Sequence, residues 1–277
     1  VATGTLYVVA TPLGHLGDLT RRAADVLTTV PVVAAEDTRR TRPLLATLGA
    51  RPTLVSYHAH SGNARADAIL EHLVAGRDVA LVTDAGTPGL SDPGADLVAR
   101  VRGSGVPVVP IPGPSAVTTA VSVAGFSADR FTFAGFLPRR GGERRAILQR
   151  LAAEPWTAVL FEAANRLVPL LEELAALGPE HRQALVGREM TKLHEEFRGG
   201  TLAELARHYQ EHPPRGEVTV VLQGVEPIPR RVDPGDLHRR IADLVAEGHA
   251  AGEVARRVAS ETGVPRNEVY RLIVEPS

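Results

Sequence analysis

The stretch Val79-Ala-Leu-Val-Thr-Asp84-Ala-Gly-Thr-Pro-Gly-Leu-Ser-Asp-Pro-Gly94 decides how the chain is read. Val79 to Thr83 is a short apolar run, the pattern of a buried parallel strand. Asp84 therefore stands at a strand's carboxyl end, where ligands collect in open α/β sheets. Gly86, Pro88, Gly89, Pro93 and Gly94 hold an irregular loop with few side chains to fill it. Asp92 is placed to cap the next helix, with Pro93 at its first position. The loop is long and rigid, which favours a binding loop over a plain turn.

Working outward, the same unit recurs. Leu6 to Ala10 is an apolar run followed by Thr11-Pro-Leu-Gly-His-Leu-Gly-Asp18, and a helix is expected from Leu19 to Thr29. Val32 to Ala35 and Thr53 to Ser56 read as strands, and Ala64 to Ala75 and Pro93 to Arg102 as helices. Val106 to Ile111 runs into Pro112-Gly-Pro-Ser-Ala116, where Ser115 is placed to cap a helix from Ala116 to Val123 and its N–H groups can meet a carboxylate. Five strand–helix steps predict a parallel sheet with helices on both faces. Later strands are expected near Phe131, Trp156, Ala184, Glu195 and Val218. Three tail helices are expected at 237–246, 253–262 and 266–274, with Gly263 and Pro265 as punctuation. The expectation is an α/β fold with two α/β domains, residues 1–113 and 114–225, and a cleft between them. A proline-rich linker, 226–235, then leads to a small helical C-terminal segment, 236–277.

Composition narrows the function. The chain has 277 residues, 44% hydrophobic and 23% charged, ordinary values for a globular protein. It has no cysteine, which excludes disulfides, thiolate catalysis and cysteine zinc sites. No apolar run approaches the ~18 residues of a membrane span, and Val1 to Gly4 lacks a secretory pattern, so a cytoplasmic protein is expected. Net charge is −1, giving no global pull toward nucleic acid. Locally, Arg139, Arg140, Arg144, Arg145 and Arg150 stand against Glu143 alone. Lys192 is the single lysine among 31 basic residues. A lone lysine kept in an arginine-rich chain suggests a site that needs a compact ammonium rather than a planar fork.

The glycines of the first loop, Gly14 and Gly17, do not fit the dinucleotide fingerprint, and no P-loop is present. Glu36 and Asp37 follow the second strand beside Arg39, Arg40 and Arg42. They either serve chemistry or cap and salt a helix start. His58 and His60 lack a third ligand at metal spacing, so no metal site is expected.

Thr11-Pro-Leu-Gly14, Glu36-Asp-Thr-Arg39, Asp84 to Gly94, Pro112-Gly-Pro-Ser-Ala116, Gly187-Arg-Glu-Met-Thr-Lys192 and Arg215-Gly-Glu217 occur in this order. Together they resemble the tetrapyrrole methylase family, most closely its ribosomal branch, across residues 4 to 277. Two positions depart from the pattern: His15 stands where Asn is common, and Arg215 where Lys is common.

The resemblance implies a homodimeric enzyme that binds S-adenosylmethionine between its domains. It also implies 2′-O-methylation of a cytidine ribose in small-subunit ribosomal RNA near the decoding centre. The cofactor-binding residues it implies are Pro12, Leu13 and Gly14; Asp84, Ala85, Gly86 and Thr87; and Ser115, Ala116, Phe161 and Gly187. Lys192, Glu189 and Asp37 are the catalytic candidates, because a ribose hydroxyl is a poor acid that needs a base or a polarising cation. An ion pair bracing the domain contact is the other reading of Lys192. Arg139, Arg140, Arg144 and Arg145 are expected to grip RNA phosphates. The rival readings are a porphyrin-ring C-methyltransferase and a non-catalytic RNA-binding factor on the same fold.

Overall fold

Four-residue apolar runs bounded by turn-forming or charged residues build the first sheet. Its strands are β1 (Leu6–Val9), β2 (Val32–Ala35), β3 (Thr53–Ser56), β4 (Val79–Val82) and β5 (Val108–Ile111). All pair in parallel, in the order β3-β2-β4-β1-β5. β2 and β4 are buried along their whole length, so they read as unbroken apolar runs without alternation. The computed structural model describes residues 2–58, 62–225 and 233–274; His60 and most of the expected linker, residues 226–232, lie outside the described residues.

The intervening helices cover both faces, as the strand–helix alternation predicts. α1 (Arg21–Thr29) and α2 (Thr38–Thr47) bury Leu27 and Leu45 against Val9, Val33 and Val82. α3 (Gly62–Val74) and α4 (Ala95–Gly103) bury Ile69, Leu73 and Leu97 against Leu6 and Leu81 on the other face. α4 begins later than expected. Gly94 is its N-cap, at φ 140°, a conformation that side-chain-bearing residues rarely adopt. Asp92 and Pro93 therefore stay in the loop, and Asp92 caps nothing.

The second sheet is mixed. β6 (Phe131–Phe136), β7 (Thr157–Ala163), β8 (Gln183–Arg188), β9 (Glu196–Thr201) and β10 (Glu217–Leu222) lie in the order β6-β7-β10-β8-β9. Only β6 and β7 run parallel; the other pairs are antiparallel. α5 (Ala116–Ala124) covers one face, packing Val117 and Ala120 on Val159, Leu185 and Val221. α6 (Gly142–Ala152), α7 (Leu167–Leu177) and α8 (Leu202–Glu211) cover the other. Leu170, Leu171 and Leu174 of α7 are fully buried there; truncating any one to Ala costs about 2–5 kcal/mol. α8 opens with a capping box formed by Thr201 and Glu204.

Both sheets belong to one compact unit, Val1–Val225, and Glu226–Ser277 form a second. In the second, α9 (Pro234–Ala246), α10 (Ala251–Thr262) and α11 (Arg266–Val274) enclose Leu244, Val254, Val258 and Val269. α9 starts inside the stretch expected as linker, because Asp233 accepts the Gly235 N–H at 2.7 Å and Pro234 suits the first turn. Among the described residues no helix is long and apolar enough to cross a membrane.

Candidate active site

Loops at the ends of both sheets line a cavity of about 520 Å³. The wall from the first sheet is acidic. Glu36 follows β2, Asp84 follows β4, and Asp92 sits farther along the β4 loop. Thr83 donates its hydroxyl to Glu36 at 2.8 Å, and the Asp84 N–H points to the same carboxylate at 3.4 Å. Asp84 in turn accepts the Asp37 N–H at 3.1 Å and faces Arg40 at 3.4 Å. Burial first, then the Glu36 charge, holds the Asp84 carboxyl above the usual carboxylate range. Asp92 is pushed up to about 6. Burial dominates and the charges on Glu36, Glu217 and Asp84 add to it, although a hydrogen bond with Thr83 opposes them.

The loop itself is pinned at both ends. Thr11 and Gly86 exchange backbone hydrogen bonds of 2.9 and 3.0 Å, tying the β1 and β4 loops together. Thr87 donates to the Pro114 carbonyl at 3.0 Å, tying the β4 loop to the start of α5. Ser115 is the N-cap of α5, as expected, but its hydroxyl makes no capping bond. The first-turn N–H groups of that helix are thus left without a side-chain acceptor from Ser115.

The wall from the second sheet carries phenyl rings, one ammonium and two carboxylates, Glu189 and Glu217. Phe161 lines the cavity and stacks edge-on against Phe133, with Phe136 tilted against it, at 5.1 and 5.4 Å between centroids. Lys192 pairs with Glu189 at 3.1 Å, and both line the cavity. Their loop is held in an uncommon backbone conformation. Glu189, Thr191 and Ser91 are the non-glycine residues with positive φ among the described residues, at 48°, 63° and 62°. All three lie in the two loops that face each other across the cavity, where such strain commonly marks function. The first-sheet loop clamps the second: the His15 N–H donates to the Thr191 hydroxyl at 3.1 Å. A Cβ on Gly14 would collide with Lys192 Cγ, so only glycine permits this approach. His15 also accepts the Gly17 N–H at 3.1 Å, so the residue that departs from the family pattern has its own capping role.

Of the residues expected to hold a cofactor, Leu13, Asp84, Ala85, Gly86 and Thr87 line the cavity. Ser115, Ala116 and Phe161 line it too. Pro12 and Gly14 flank Leu13 without lining it. Gly187 stands in register with Thr219, which itself pairs with Phe161, and the Phe197 ring lies over it. Asp37 does not line the cavity. It caps α2 through the Arg39 N–H at 2.9 Å and pairs with the Arg39 guanidinium, which holds its carboxyl at about 2. Of its two readings, helix start is the one the geometry supports.

The arginine stretch divides. Arg139, Arg140 and Arg145 are exposed. Arg144 is only 7% exposed, a correction to its expected place among the phosphate-gripping residues. α6 begins at Gly142 and turns Arg144 inward, where it donates to Glu173 at 2.5 Å and to the Pro138 carbonyl at 3.2 Å. Residues that local pattern did not assign to the cavity are Arg40, Leu90, Asp92, Val117, Phe136, Met190, Gly216, Glu217, Val218 and Thr219. Thr219 left a signal as a polar residue inside the apolar run of β10, and Leu90, Asp92, Met190, Gly216 and Glu217 lie within the quoted motifs. Among the described residues no cluster of three metal-ligating side chains occurs.

Residues 5–206 match the family model described as Tetrapyrrole (Corrin/Porphyrin) Methylases. A Synechocystis protein named "Ribosomal RNA small subunit methyltransferase I" is 41% identical over 98% of each chain. Its namesake from Xylella fastidiosa is 43% identical over 96% of this chain and 98% of its own. The uroporphyrin-III C-methyl transferase of Thermus thermophilus, solved with S-adenyl homocysteine, shares the fold at a TM-score of 0.59 and 23% identity, covering 79% of this chain and 97% of its own. The chain belongs to the tetrapyrrole methylase family.

Proposed function

We propose that this chain is an S-adenosylmethionine-dependent methyltransferase that modifies the 2′-hydroxyl of a cytidine ribose in small-subunit ribosomal RNA near the decoding centre. The observation that carries the reading is the pairing of an acidic wall with an aromatic, lysine-bearing wall around one cavity. When bound, S-adenosylmethionine would supply a methyl group on a positive sulfonium: the ribose oxygen would take the methyl in line, the sulfur would leave as a neutral thioether, and the hydroxyl proton would pass to a neighbouring carboxylate, Glu189. The residues present suit that group. Asp84 would face its positive charge, with Glu36 and Asp92 beside it. The open N–H groups at the start of α5 suit its carboxylate. Phe161 offers a ring face to adenine.

Lys192, held by Glu189, polarises the ribose hydroxyl or fixes a neighbouring phosphate. Aligning the two reactants and excluding water supply most of the rate gain. Arg139, Arg140 and Arg145 grip RNA phosphates. The division of residues 1–225 at 113/114 belongs to the same reading, supported by the packing of α5 on the second sheet. So does a homodimer: Leu193 is 92% exposed and Leu16 55%, on loops that the His15–Thr191 bond joins, an apolar edge suited to a second copy. A ribosomal substrate places the protein in the cytoplasm.

Calorimetric titration with S-adenosylmethionine is expected to show one site per chain that Asp84→Ala weakens. No binding would favour a non-catalytic RNA-binding factor instead.

A further inference from the structure

A second cavity, of about 410 Å³, opens where the loop after β8 meets the loop between α8 and β10. Its size falls in the range of small-ligand sites, roughly 300–1,000 Å³. Its floor is committed: Arg188 pairs with Glu196 at 2.6 Å, and Glu196 also receives Arg198 and the Tyr209 hydroxyl. Its rim is not. His208 and His212 stack at 4.7 Å between centroids and 17° between planes, and His212 is exposed. Pro213 and Pro214 continue the rim, and Arg215 projects there with no ion-pair partner among the described residues. Glu189 lines this cavity and the larger one alike.

A flat, stacked ring pair beside prolines suits the face of a heterocycle, and one unspent guanidinium suits a phosphate. Those two chemistries, joined, make a nucleotide. The shared Glu189 makes the two cavities neighbours, so their occupants are joined by a short run of backbone. We propose that this cavity holds the RNA nucleotide adjacent to the one being methylated, its base stacked on His212 and its phosphate on Arg215. The proposal rests on the RNA-methylating function proposed above. It assigns the Arg215 position a role in RNA placement, outside the cofactor cavity. Stacking tolerates any base, so the pocket fixes the strand's path and not its sequence.

The test is steady-state kinetics on small subunits lacking ribose methylation, with His212→Ala, His212→Phe and Arg215→Ala. His212→Ala is expected to raise KM for subunits about tenfold, with cofactor affinity by calorimetry at the wild-type value. His212→Phe, which keeps a stacking face, restores KM. Arg215→Ala lowers the salt slope of subunit binding by about one. A KM within twofold of wild type in His212→Ala overturns the proposal. If the wild-type protein transfers no methyl group to subunits, the function reading fails, and a second measurement still decides the pocket. In it, a single-stranded hexaribonucleotide is titrated and the ring resonances of His208 and His212 are followed by NMR. Shifts with the oligonucleotide and none with inorganic phosphate support the pocket. Equal shifts with phosphate, or none with either, overturn it.

Discussion

The two walls of the main cavity are built differently. One comes from a parallel sheet whose central strands are buried on both faces, and it presents carboxylates. Asp84 and Asp92 are held above the usual carboxylate range by burial first and then by the nearby Glu36 charge. The other comes from a mixed sheet and presents phenyl rings, the carboxylates Glu189 and Glu217, and one ammonium in a loop with two strained residues. The difference suggests a division of labour. Fixed negative charge suits a cationic methyl donor. A lysine on a stiff loop suits the hydroxyl and the phosphates that come to it.

The largest expected effect sharpens that division. Lys192→Arg keeps the charge but replaces a point donor with a fork. Turnover should fall about a hundredfold, the scale of lost proton-transfer or polarising help, while calorimetry finds cofactor affinity unchanged. Equal losses in both would erase the distinction between the walls. Next, Asp84→Ala should weaken S-adenosylmethionine binding by about thirtyfold, the scale of one charge-assisted contact. A wild-type affinity would move the donor away from the acidic wall.

A smaller effect follows from Asp92. Its pKa is raised from 3.8 to about 6 on folding, so between those values the folded chain holds more protons than the unfolded one. Stability therefore falls as pH rises through that window and levels off above it. Thermal melts from pH 4 to 6.5 should show the decline in wild type and a flatter profile in Asp92→Asn. The smallest effect concerns the exposed arginines. Replacing Arg139, Arg140 and Arg145 with Ala should lower the salt slope of RNA binding by roughly two, measured by titration at several ionic strengths. An unchanged slope would make that surface a solvated face.

Much of this was legible in the chain. Apolar runs such as Val79–Val82, cut off by glycine and proline, give away strands, and the loops after them give away the cavity. What local pattern missed has particular causes. Asp92 precedes proline and resembles a helix cap; the glycine two residues later takes the cap and frees the carboxylate for the cavity. Arg144 belongs to a row of arginines, and a row of charges says nothing of which face each occupies once a helix begins at Gly142. Asp37 stands beside Glu36, and adjacent residues after a strand diverge: one enters the cavity and the other caps the helix. Pairings between distant loops, such as Gly14 against Lys192, leave no local trace.

The central claim is that the two walls meet to move a methyl group onto a ribose oxygen. The most direct measurement incubates the protein with S-adenosylmethionine carrying a labelled methyl group and small ribosomal subunits lacking ribose methylation, then maps the label. The account predicts one 2′-O-methylated cytidine in the small-subunit RNA. Label on a base, or none in RNA while a porphyrin-type ring is labelled at carbon, would contradict it.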